Sequence, residues 1–475
     1  MKSSKPKLSF WQIWNLSFGF MGVQIGYSLQ NSNTSTILQS FGADLGSLSY
    51  FWLAAPIAGL IVQPIVGMFS DKTWTRLGRR IPFILAGAII SALALVLMPN
   101  CPKLLAFAPL AMGALIFLFM DLSFNVTMQP FRALVTDMLD DSQKTEGFVV
   151  QTLLINLGAV VGALLPLVMT WCGVSDTAEE GHVSDHIAYS YYLGGAILLA
   201  SVLVTSFKVK EYPPKEFALY NGTSDSSESP RTVGEQAAST VSSDAVADRT
   251  AQTASEAAAA APKTGFIQLL KGTPKVMLQL GVTQFFSWAA LFLMWNYLKP
   301  AITGVVTDNS GAVLAEGATA TWVGVLNAVY PVPACIIALF MTQIANRYGN
   351  KTVYAATLAC GALGFLGLSL LHNQYLLMLP MVGIGIAWAG ILAMPYSILS
   401  RAIDANSAGA YMGIFNFTIV IPQICMGLLG GVIVKYVFGG NAVAMLALAG
   451  ALMLCAAVSV AFIRDRRDGG ETDMN

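Results

Sequence analysis

The 475-residue chain has little charge and few of the residues on which most catalytic sites depend. Only 11% of its residues are charged, against roughly 25% in soluble domains, and acidic and basic residues balance at 26 each. This balance excludes the basic excess of a nucleic-acid-binding protein. Six cysteines, none in a CxxC motif, and three histidines suggest neither a disulfide framework nor a metal site, and leave little material for His-based catalysis. These absences argue against a soluble enzyme.

Long apolar stretches are what the chain has instead. Hydrophobic residues make up 55% of it, and its mean hydropathy is +0.63. A helix that crosses a bilayer needs about 20 mostly apolar residues. Twelve stretches satisfy this, at 9–31, 47–70, 80–99, 105–136, 147–171, 187–207, 275–298, 320–345, 352–371, 374–399, 408–434 and 440–463. The sequence therefore predicts an all-α membrane protein with twelve transmembrane helices.

Lysine and arginine are distributed unequally between the two sides of the predicted membrane. Of 26 such residues, the odd-numbered connections hold only Lys103, Lys299 and Lys435, each at a membrane edge. The others lie mainly in the even-numbered connections and the two terminal segments. Because short cytoplasmic loops carry the excess of positive residues, we expect both termini to be cytoplasmic.

A polar segment divides the twelve spans into six and six. Residues 220–263 are rich in Ser, Thr, Ala, Asp and Glu and have almost no large apolar side chains, so they cannot bury enough surface to fold alone. We predict an N-terminal six-helix half over 1–207, a flexible cytoplasmic linker over 208–264 and a C-terminal six-helix half over 265–475. A regulatory segment with phosphorylatable serines is the alternative for the linker.

The two halves also share sequence. Residues 128–134 in the fourth span and 393–399 in the tenth both place a proline before an aromatic ring, at an offset of 265. The segment 67–80 has a degraded counterpart at 342–351. Parallel six-helix halves are common among secondary transporters, which build their site near the bilayer midplane between the halves.

The segment 67–80 resembles the signature of the major facilitator superfamily between its second and third helices. The glycines allow close helix approach, and the acid and arginines can form a charge network on the cytoplasmic face. The resemblance implies a gate that is held closed in one conformation and released in the other. Its candidate residues are Gly67, Asp71, Arg76, Gly78, Arg79, Arg80 and Asp137. Basic residues that serve only as membrane anchors are the alternative.

Three runs indicate a particular group within this superfamily: 22–30, 55–64, and 121–125 together with the following 130–137. They are similar to the plant sucrose carriers and their relatives, in the glycoside-pentoside-hexuronide cation symporter group that includes the solute carrier 45 proteins. In the second half the likeness depends mainly on 285–295. The resemblance implies the twelve-helix major facilitator fold and a sugar substrate. The short loops suggest a bacterial member, in the inner membrane.

Asp121 follows ten apolar or small residues and lies at hydrocarbon depth. A carboxylate there costs roughly 2.5–3.5 kcal/mol and indicates a functional site by default. Arg132 shares its helix face but lies about 16 Å away along the axis, too far for direct contact. The positions matching Asp121 and Arg132 in the sucrose carriers are implicated in proton coupling and sugar transport. A permanent helix–helix ion pair for Asp121, and membrane anchoring for Arg132, are the alternatives.

Sugar recognition requires neutral groups that both donate and accept hydrogen bonds, together with flat apolar rings. Amides and tryptophans within the spans supply both. The substrate-binding candidates are Gln24, Gln30, Asn125, Gln129, Gln151, Gln284, Trp288, Asn327 and Trp388. For each amide, bonding between helices is the alternative, and for each tryptophan, packing. Span 7 lacks the carboxylate that plant carriers tend to have, and Phe124 replaces one of their paired asparagines, so the resemblance implies neither a second ionisable step nor sucrose in particular.

Together these features predict a secondary active transporter, not an enzyme, that imports a disaccharide by proton symport with alternating access. An α-glucoside such as maltose or sucrose is the preferred cargo. We expect the proton as coupling ion, no cofactor or metal, no nucleic-acid partner, the lipid bilayer as surroundings and a monomer. The rivals are a sodium-coupled glycoside symporter, a multidrug exporter on the same fold, and a sugar-binding receptor. A Cys101–Cys172 disulfide is conceivable, with two unrelated thiols as the alternative.

Overall fold

The computed structural model describes residues 5–43, 45–175, 177, 181–221, 266–314 and 316–463. These residues form helices, turns and a few isolated bridges, without a β-sheet in the described ranges. The long helices are α1 Phe10–Ser40, α2 Leu45–Lys72, α3 Ile81–Leu97, α4 Pro109–Met138, α5 Lys144–Trp171, α6 Asp185–Lys208, α7 Lys275–Ile302, α8 Glu316–Val329 continued by Pro331–Tyr348, α9 Asn350–Leu370, α10 Met378–Ala402, α11 Ala408–Phe415 continued by Phe417–Val432, and α12 Ala442–Ser459.

The helices correspond to the twelve predicted spans. By length and composition alone, ten stretches among the described residues could cross a membrane, and α1 and α2 complete the set. Helix α1 begins at a capping box, in which the Ser9 hydroxyl accepts the N–H of Gln12 and the Gln12 side chain accepts the N–H of Ser9. It runs nine residues past the predicted end, because residues 32–40 contain neither glycine nor proline to stop it.

Two spans differ from the single helices that the sequence predicts. Helix α8 is interrupted at Tyr330, directly before Pro331, which cannot donate a helical hydrogen bond and favours the first turn of a new helix. Helix α11 is interrupted at Asn416. In contrast, α4 and α10 continue through Pro130 and Pro395.

The internal repeat is visible in the packing. In the first half, α1 packs on α5 and α6, and α3 packs on α4 and α6. In the second half, α7 packs on α11 and α12, and α9 packs on α10 and α12, which is the same arrangement six helices later. The halves meet along two seams, α2 with α11 and α5 with α8, and these are also related by the repeat.

The connection between the halves begins with ordered structure. A short helix, Pro214–Asn221, follows α6, and another, Phe266–Lys271, precedes α7. Residues 222–264, the greater part of the predicted linker, lie outside the described residues. All six cysteines are unpaired, with Cys101 buried and Cys172 exposed, so the two are unrelated thiols.

Candidate functional site

Asp121 lies about 18 Å along α4 from its first residue, and its side chain is buried. Its Oδ1 accepts a hydrogen bond from Gln30 Nε2 of α1 at 3.1 Å, and its Oδ2 accepts one from Asn125 Nδ2 at 3.2 Å. Asn125 Oδ1 in turn accepts from Gln63 Nε2 of α2 at 2.7 Å. The amides thus connect the carboxylate on α4 to α1 and α2 of the first half.

The amides place N–H donors toward both carboxylate oxygens, as an ionised carboxylate in a low-dielectric interior requires. The salt bridges found among the described residues do not include Asp121. The alternative of a permanent ion pair therefore has no partner in the described part of the chain.

Arg132 lies on α4, eleven residues from Asp121 toward the end that carries Asp137. Its guanidinium carbon is 4.6 Å from the ring centroid of Tyr396 on α10, a cation–π contact between the two halves. The Tyr396 ring also stacks on Phe148 of α5, with centroids 5.9 Å apart. The hydroxyl of Tyr396 is buried and without a hydrogen-bond partner.

Three predicted sugar-binding amides make contacts between helices. Gln129 Nε2 donates to the Gly409 carbonyl at the start of α11, and Gln151 Nε2 donates to the Phe131 carbonyl at 3.3 Å. Gln24 Nε2 makes a weak contact with Met128 Sδ at 3.9 Å. In this conformation Gln129 joins α4 to α11 and Gln151 joins α5 to α4, as the helix-bonding alternative describes, whereas Gln24 makes only the weak sulfur contact.

The other candidates lie in the second half. Trp288 of α7 and Trp388 of α10 contact each other edge-to-face, with ring centroids 5.6 Å apart. The ring centroid of Trp295 lies 6.3 Å from that of Trp288 and 6.1 Å from that of Trp388. One turn before Trp288, Gln284 accepts a hydrogen bond from the Tyr354 hydroxyl at 3.1 Å. We call Trp288, Trp295 and Trp388 the tryptophan cluster.

Several buried polar atoms of the substrate-binding candidates, and of Gln63 and Tyr396, lack a partner, although buried polar groups are ordinarily hydrogen-bonded. The donors among them are Trp288 Nε1 and Gln284 Nε2, and the acceptors are the side-chain oxygens of Gln30, Gln63, Gln129 and Asn327, with the Tyr396 hydroxyl able to do either. Both halves contribute to this set. A mixture of donors and acceptors suits hydroxyl groups, each of which donates and accepts.

The signature segment forms an ion-pair network between α2, α3 and α4, which we call the gate network. Asp71 Oδ1 lies 2.6 Å from Nη2 of Arg79 and 2.6 Å from Nη2 of Arg80, and Arg80 Nε lies 2.7 Å from Asp137 Oδ2. Burial alone would lower the pKa of Arg80, but the carboxylates of Asp137 and Asp71 outweigh it and raise that pKa above its ordinary value.

The gate network reaches the second half through α11. Asp71 accepts hydrogen bonds from the backbone N–H groups of Gly409 at 3.0 Å and Ala410 at 2.7 Å, at the positive end of the helix dipole. Gly67 lies against the Gly409 backbone, where a Cβ would collide with its carbonyl. Arg76, which the pattern groups with the gate, is exposed and takes no part in the ion pairs of the described residues.

Glu211, in the turn after α6, is not among the gate residues that the sequence predicts. Its carboxylate accepts the backbone N–H groups of Arg79, Arg80 and Ile81 at 2.9, 2.8 and 2.9 Å, which caps the start of α3. Gly78, with φ of +110°, makes room for it, because a Cβ there would meet the carboxylate. Burial raises the pKa of Glu211, and the three N–H donors partly offset this rise.

The site residues that the sequence predicts likewise do not include Gln63, Tyr354 or Tyr396. Gln63 was visible as an amide within an apolar span, inside one of the runs that resemble the sucrose carriers. The buried tyrosine hydroxyls gave no comparable signal, since tyrosine is common within and at the ends of membrane helices.

Comparison with family models covers most of the chain. A model described as MFS/sugar transport protein matches residues 24–241, and one described as Major Facilitator Superfamily matches residues 284–473. The boundary between them falls at the polar segment that separates the six-helix halves.

Among characterised proteins, the sucrose transport protein SUC4 of Arabidopsis thaliana is 23% identical over 89% of this chain and 84% of its own length. The general alpha-glucoside permease of Schizosaccharomyces pombe is 27% identical over 45% of this chain and 40% of its own length. The rice sucrose transport protein SUT3 is 38% identical over 25% of this chain and 26% of its own. The chain thus spans most of the first relative and less than half of the other two.

Among solved structures, the Escherichia coli fucose:proton symporter superimposes with a TM-score of 0.64 at 13% identity, covering 95% of this chain and 98% of that one. A proton:xylose symporter superimposes with a TM-score of 0.60 at 12% identity, covering 96% and 94%. At these identities the likeness establishes the fold.

Proposed function

The chain belongs to the major facilitator superfamily, and on that premise we propose that it imports a disaccharide, an α-glucoside such as maltose or sucrose, by proton symport. Family membership makes it a multi-pass membrane transporter and not an enzyme, as the sequence predicts. The sugar assignment is supported by the match to the sugar-transport model and by relatives named as sucrose and α-glucoside carriers.

The observation that carries the proposal is the bonding of Asp121 to Gln30 and Asn125. While the carboxylate is ionised, both amides can donate to it. Once protonated, it must donate one hydrogen bond itself, so one amide has to turn its oxygen toward the carboxyl group. Because Asn125 also bonds to Gln63, this rearrangement is transmitted from α4 to α1 and α2. Proton uptake thereby changes which amide atoms are available to a sugar.

The amide environment favours a proton over sodium as the coupling ion. A sodium site needs several oxygen ligands around the cation, and hard cations select carboxylate and carbonyl oxygens. The neighbours of Asp121 present N–H groups instead. A proton requires only the carboxyl oxygen itself.

Helix α4 links the proposed proton site to the gate. Asp121 and Asp137 are separated by sixteen residues, about 24 Å of helix, and Gln129 and Arg132 between them contact α11 and α10. We propose that protonation and sugar binding at Asp121 favour release of the gate network, and that the gate network and both termini lie on the cytoplasmic side. The rocking of the two halves would then carry the sugar inward.

The test is uptake of labelled maltose and sucrose into proteoliposomes under an imposed inward proton gradient. We expect the wild type to accumulate sugar until a protonophore is added. Asp121→Asn should lose accumulation, with the internal-to-external ratio falling to about one, yet should still exchange sugar, because the asparagine stays neutral throughout the cycle. Asp185→Asn, at an exposed carboxylate in the first turn of α6, is the matched control and should behave as wild type.

Two results would reject the coupling assignment: accumulation by Asp121→Asn at the wild-type level, or accumulation by the wild type that follows a sodium gradient and ignores the proton gradient. Saturable sugar binding without accumulation would support the receptor alternative instead.

A further inference from the structure

A groove on the outer surface of the second half has no role in the proposed sugar site. It lies between α7 and α11 and encloses about 390 Å³, within the range of ~300–1,000 Å³ typical of small-ligand pockets. Leu278, Val282, Phe285 and Phe286 line it from α7, and Ile421 and Pro422 line it from α11.

The groove is apolar throughout and opens toward the surroundings of the protein. Its one hydroxyl, on Thr418, donates to the Phe415 carbonyl at 2.7 Å. Leu278, Val282 and Ile421 are 62%, 51% and 44% exposed, so its rim faces outward from the helix bundle. On a membrane-spanning helix this direction is the hydrocarbon of the bilayer. The groove accordingly suits an alkyl chain and offers nothing to a sugar.

Gly281 helps to form the groove. A Cβ at this position would lie 3.3 Å from the Thr418 methyl group, in the space between the two helices. A larger side chain there would extend into the groove and fill part of it.

Two exposed lysines lie at one end of the groove. Lys275 is the first residue of α7, three positions before Leu278, and Lys271 ends the preceding short helix. The chain between them is held against α11, because the Tyr411 hydroxyl donates to the Gly272 carbonyl at 3.1 Å. The backbone that carries the two lysines is therefore held beside the first turns of both helices that form the groove.

This end of the groove is also the gate end. Gly409 and Ala410, whose N–H groups bond to Asp71, directly precede Tyr411. Lys275 and Val282 are about 10 Å apart along the helix. The positive charges therefore lie at the membrane edge and the apolar groove lies at hydrocarbon depth, which is the order of the headgroup and the acyl chain in a phospholipid. Lysine and arginine side chains close to the membrane surface attract anionic lipid headgroups.

We propose that an anionic glycerophospholipid binds here, with one acyl chain in the groove between α7 and α11 and its headgroup phosphate against Lys271 and Lys275. Both helices belong to the second half and pack together, so the site moves as one piece with that half. A lipid bound there lies beside the α11 turn that holds the gate network.

The test uses purified full-length protein titrated with dioleoyl phosphatidylglycerol or dioleoyl phosphatidylcholine, with bound lipids counted by native mass spectrometry. We expect one phosphatidylglycerol to bind more tightly than phosphatidylcholine. The double variant Lys271→Gln, Lys275→Gln should lower the affinity for this phosphatidylglycerol about 25-fold, or about fivefold for each lysine. Its affinity for phosphatidylcholine should be unchanged. Lys435→Gln, in the turn Ile433–Val437 that follows the other end of α11, is the matched control and should have no effect.

The acyl-chain position is tested with phosphatidylglycerol that carries a photoreactive group on its chain. Labelled peptides should contain residues 278–286 and 417–422, and Gly281→Leu should remove this labelling. Gly431→Leu, at a glycine of α11 with open space around it, should retain it.

Equal affinity for the two lipids, unchanged affinity in the double glutamine variant, or labelling spread over other membrane-facing helices would overturn the proposal. The glutamine variant alters only exposed side chains, so it remains informative if Gly281→Leu does not fold. Neither readout involves sugar or protons, so a failure here is distinct from a failure of the proposed transport activity.

Discussion

Trp288 combines an aromatic ring with a buried hydrogen-bond donor that has no partner. Its ring contacts Trp388 edge-to-face, and its Nε1 lies unpartnered beside Gln284, whose Nε2 is also unpartnered. A pyranose ring has an apolar face and equatorial hydroxyls, so a single tryptophan can contact both. This favours a role in sugar binding over packing alone.

Replacing Trp288 separates these two contributions. Trp288→Phe keeps an aromatic ring but removes the N–H, and we expect KM for the sugar to rise about 5–10-fold, as the loss of one hydrogen bond worth about 1–1.5 kcal/mol predicts. The proton-driven accumulation itself should persist. Trp171→Phe, at an exposed tryptophan at the end of α5, is the control. An unchanged KM in Trp288→Phe would show that the tryptophan cluster serves only packing.

Lys5 shows how a terminal residue can respond to pH. Its Nζ donates to the carbonyls of Thr136 and Leu139 at the end of α4, and burial lowers its pKa to about 8. Because its unfolded pKa is 10.5, the unfolded chain holds the proton between these values while the folded chain releases it. The free energy of unfolding therefore gains a contribution as pH rises through this window.

We expect the Tm of the wild type, relative to that of Lys5→Gln, to increase between about pH 8 and 10.5. Thermal unfolding in detergent at several pH values measures this difference. If the difference in Tm stays constant or falls with pH, burial does not lower the pKa of Lys5. Lys7→Gln, two residues away, provides the comparison for a general effect of charge in this segment.

At the scale of elements, the start of α3 depends on a residue from the far end of the first half. A helix leaves its first N–H groups without internal partners, and Glu211 supplies acceptors for three of them. Phe217 of the helix Pro214–Asn221 packs over Arg79, with the guanidinium 4.8 Å from its ring centroid. The segment after α6 thereby fixes the two arginines that pair with Asp71.

Glu211→Gln should destabilise the transporter by about 1.5–3 kcal/mol, the usual value of hydrogen bonds to a charged group. Glutamine retains one acceptor oxygen but turns an NH2 group toward a backbone N–H, and it loses the favourable charge at a helix N-terminus. Thermal unfolding measures the change. Glu216→Gln, five residues away and exposed, should have little effect. Equal stability of the two variants would contradict the capping role.

At the scale of the whole molecule, the halves are held together at the gate end by two different latches. One is the charged contact of Asp71 with α11. The other joins α5 to α9 and α10: Lys144 Nζ donates to the Ser400 carbonyl of α10 at 2.7 Å, and Thr145 bonds to Ser397 of α10 at 2.9 Å and to Asn350 of α9 at 3.2 Å. In this second latch Arg401 of α10 also donates to Thr145, at 2.6 Å, so charged side chains take part in both latches.

Breaking either latch should open the gate end, and the latch at Asp71 should contribute more. A hydrogen bond to a charged group is worth about 1.5–3 kcal/mol, and Asp71 accepts two such bonds from α11, whereas Lys144 donates one to α10. Spin labels at positions 76 and 404, both exposed at the gate end, report the separation of the halves. We expect the long-distance population to increase in Lys144→Met and to increase further in Asp71→Asn.

Lys72→Gln, at the exposed residue beside Asp71, is the control for this experiment and should leave the distances unchanged. A distance distribution that is the same in wild type and Asp71→Asn would show that the gate network does not hold the halves together.

Much of this protein can be predicted from its sequence because membrane helices are specified locally. Twenty apolar residues must form a helix to satisfy their own backbone, so the number of spans, the division into halves and the repeat follow from composition and spacing. A deep carboxylate such as Asp121 stands out for the same reason, since its burial is costly. The Gly67, Asp71 and Arg80 pattern was recognisable because its spacing within one segment is fixed.

What only the tertiary structure decided is which partner each polar side chain finds. Gln30 and Asn125 meet Asp121, whereas Gln129 and Gln151 bond to backbone carbonyls of other helices, although all four are amides in apolar spans. Glu211 is 132 residues from the Arg79 N–H that it caps. Local sequence determines that a segment is a helix and how deep a residue lies, but the rotation and packing of the helices set these contacts, because they join residues that are distant along the chain.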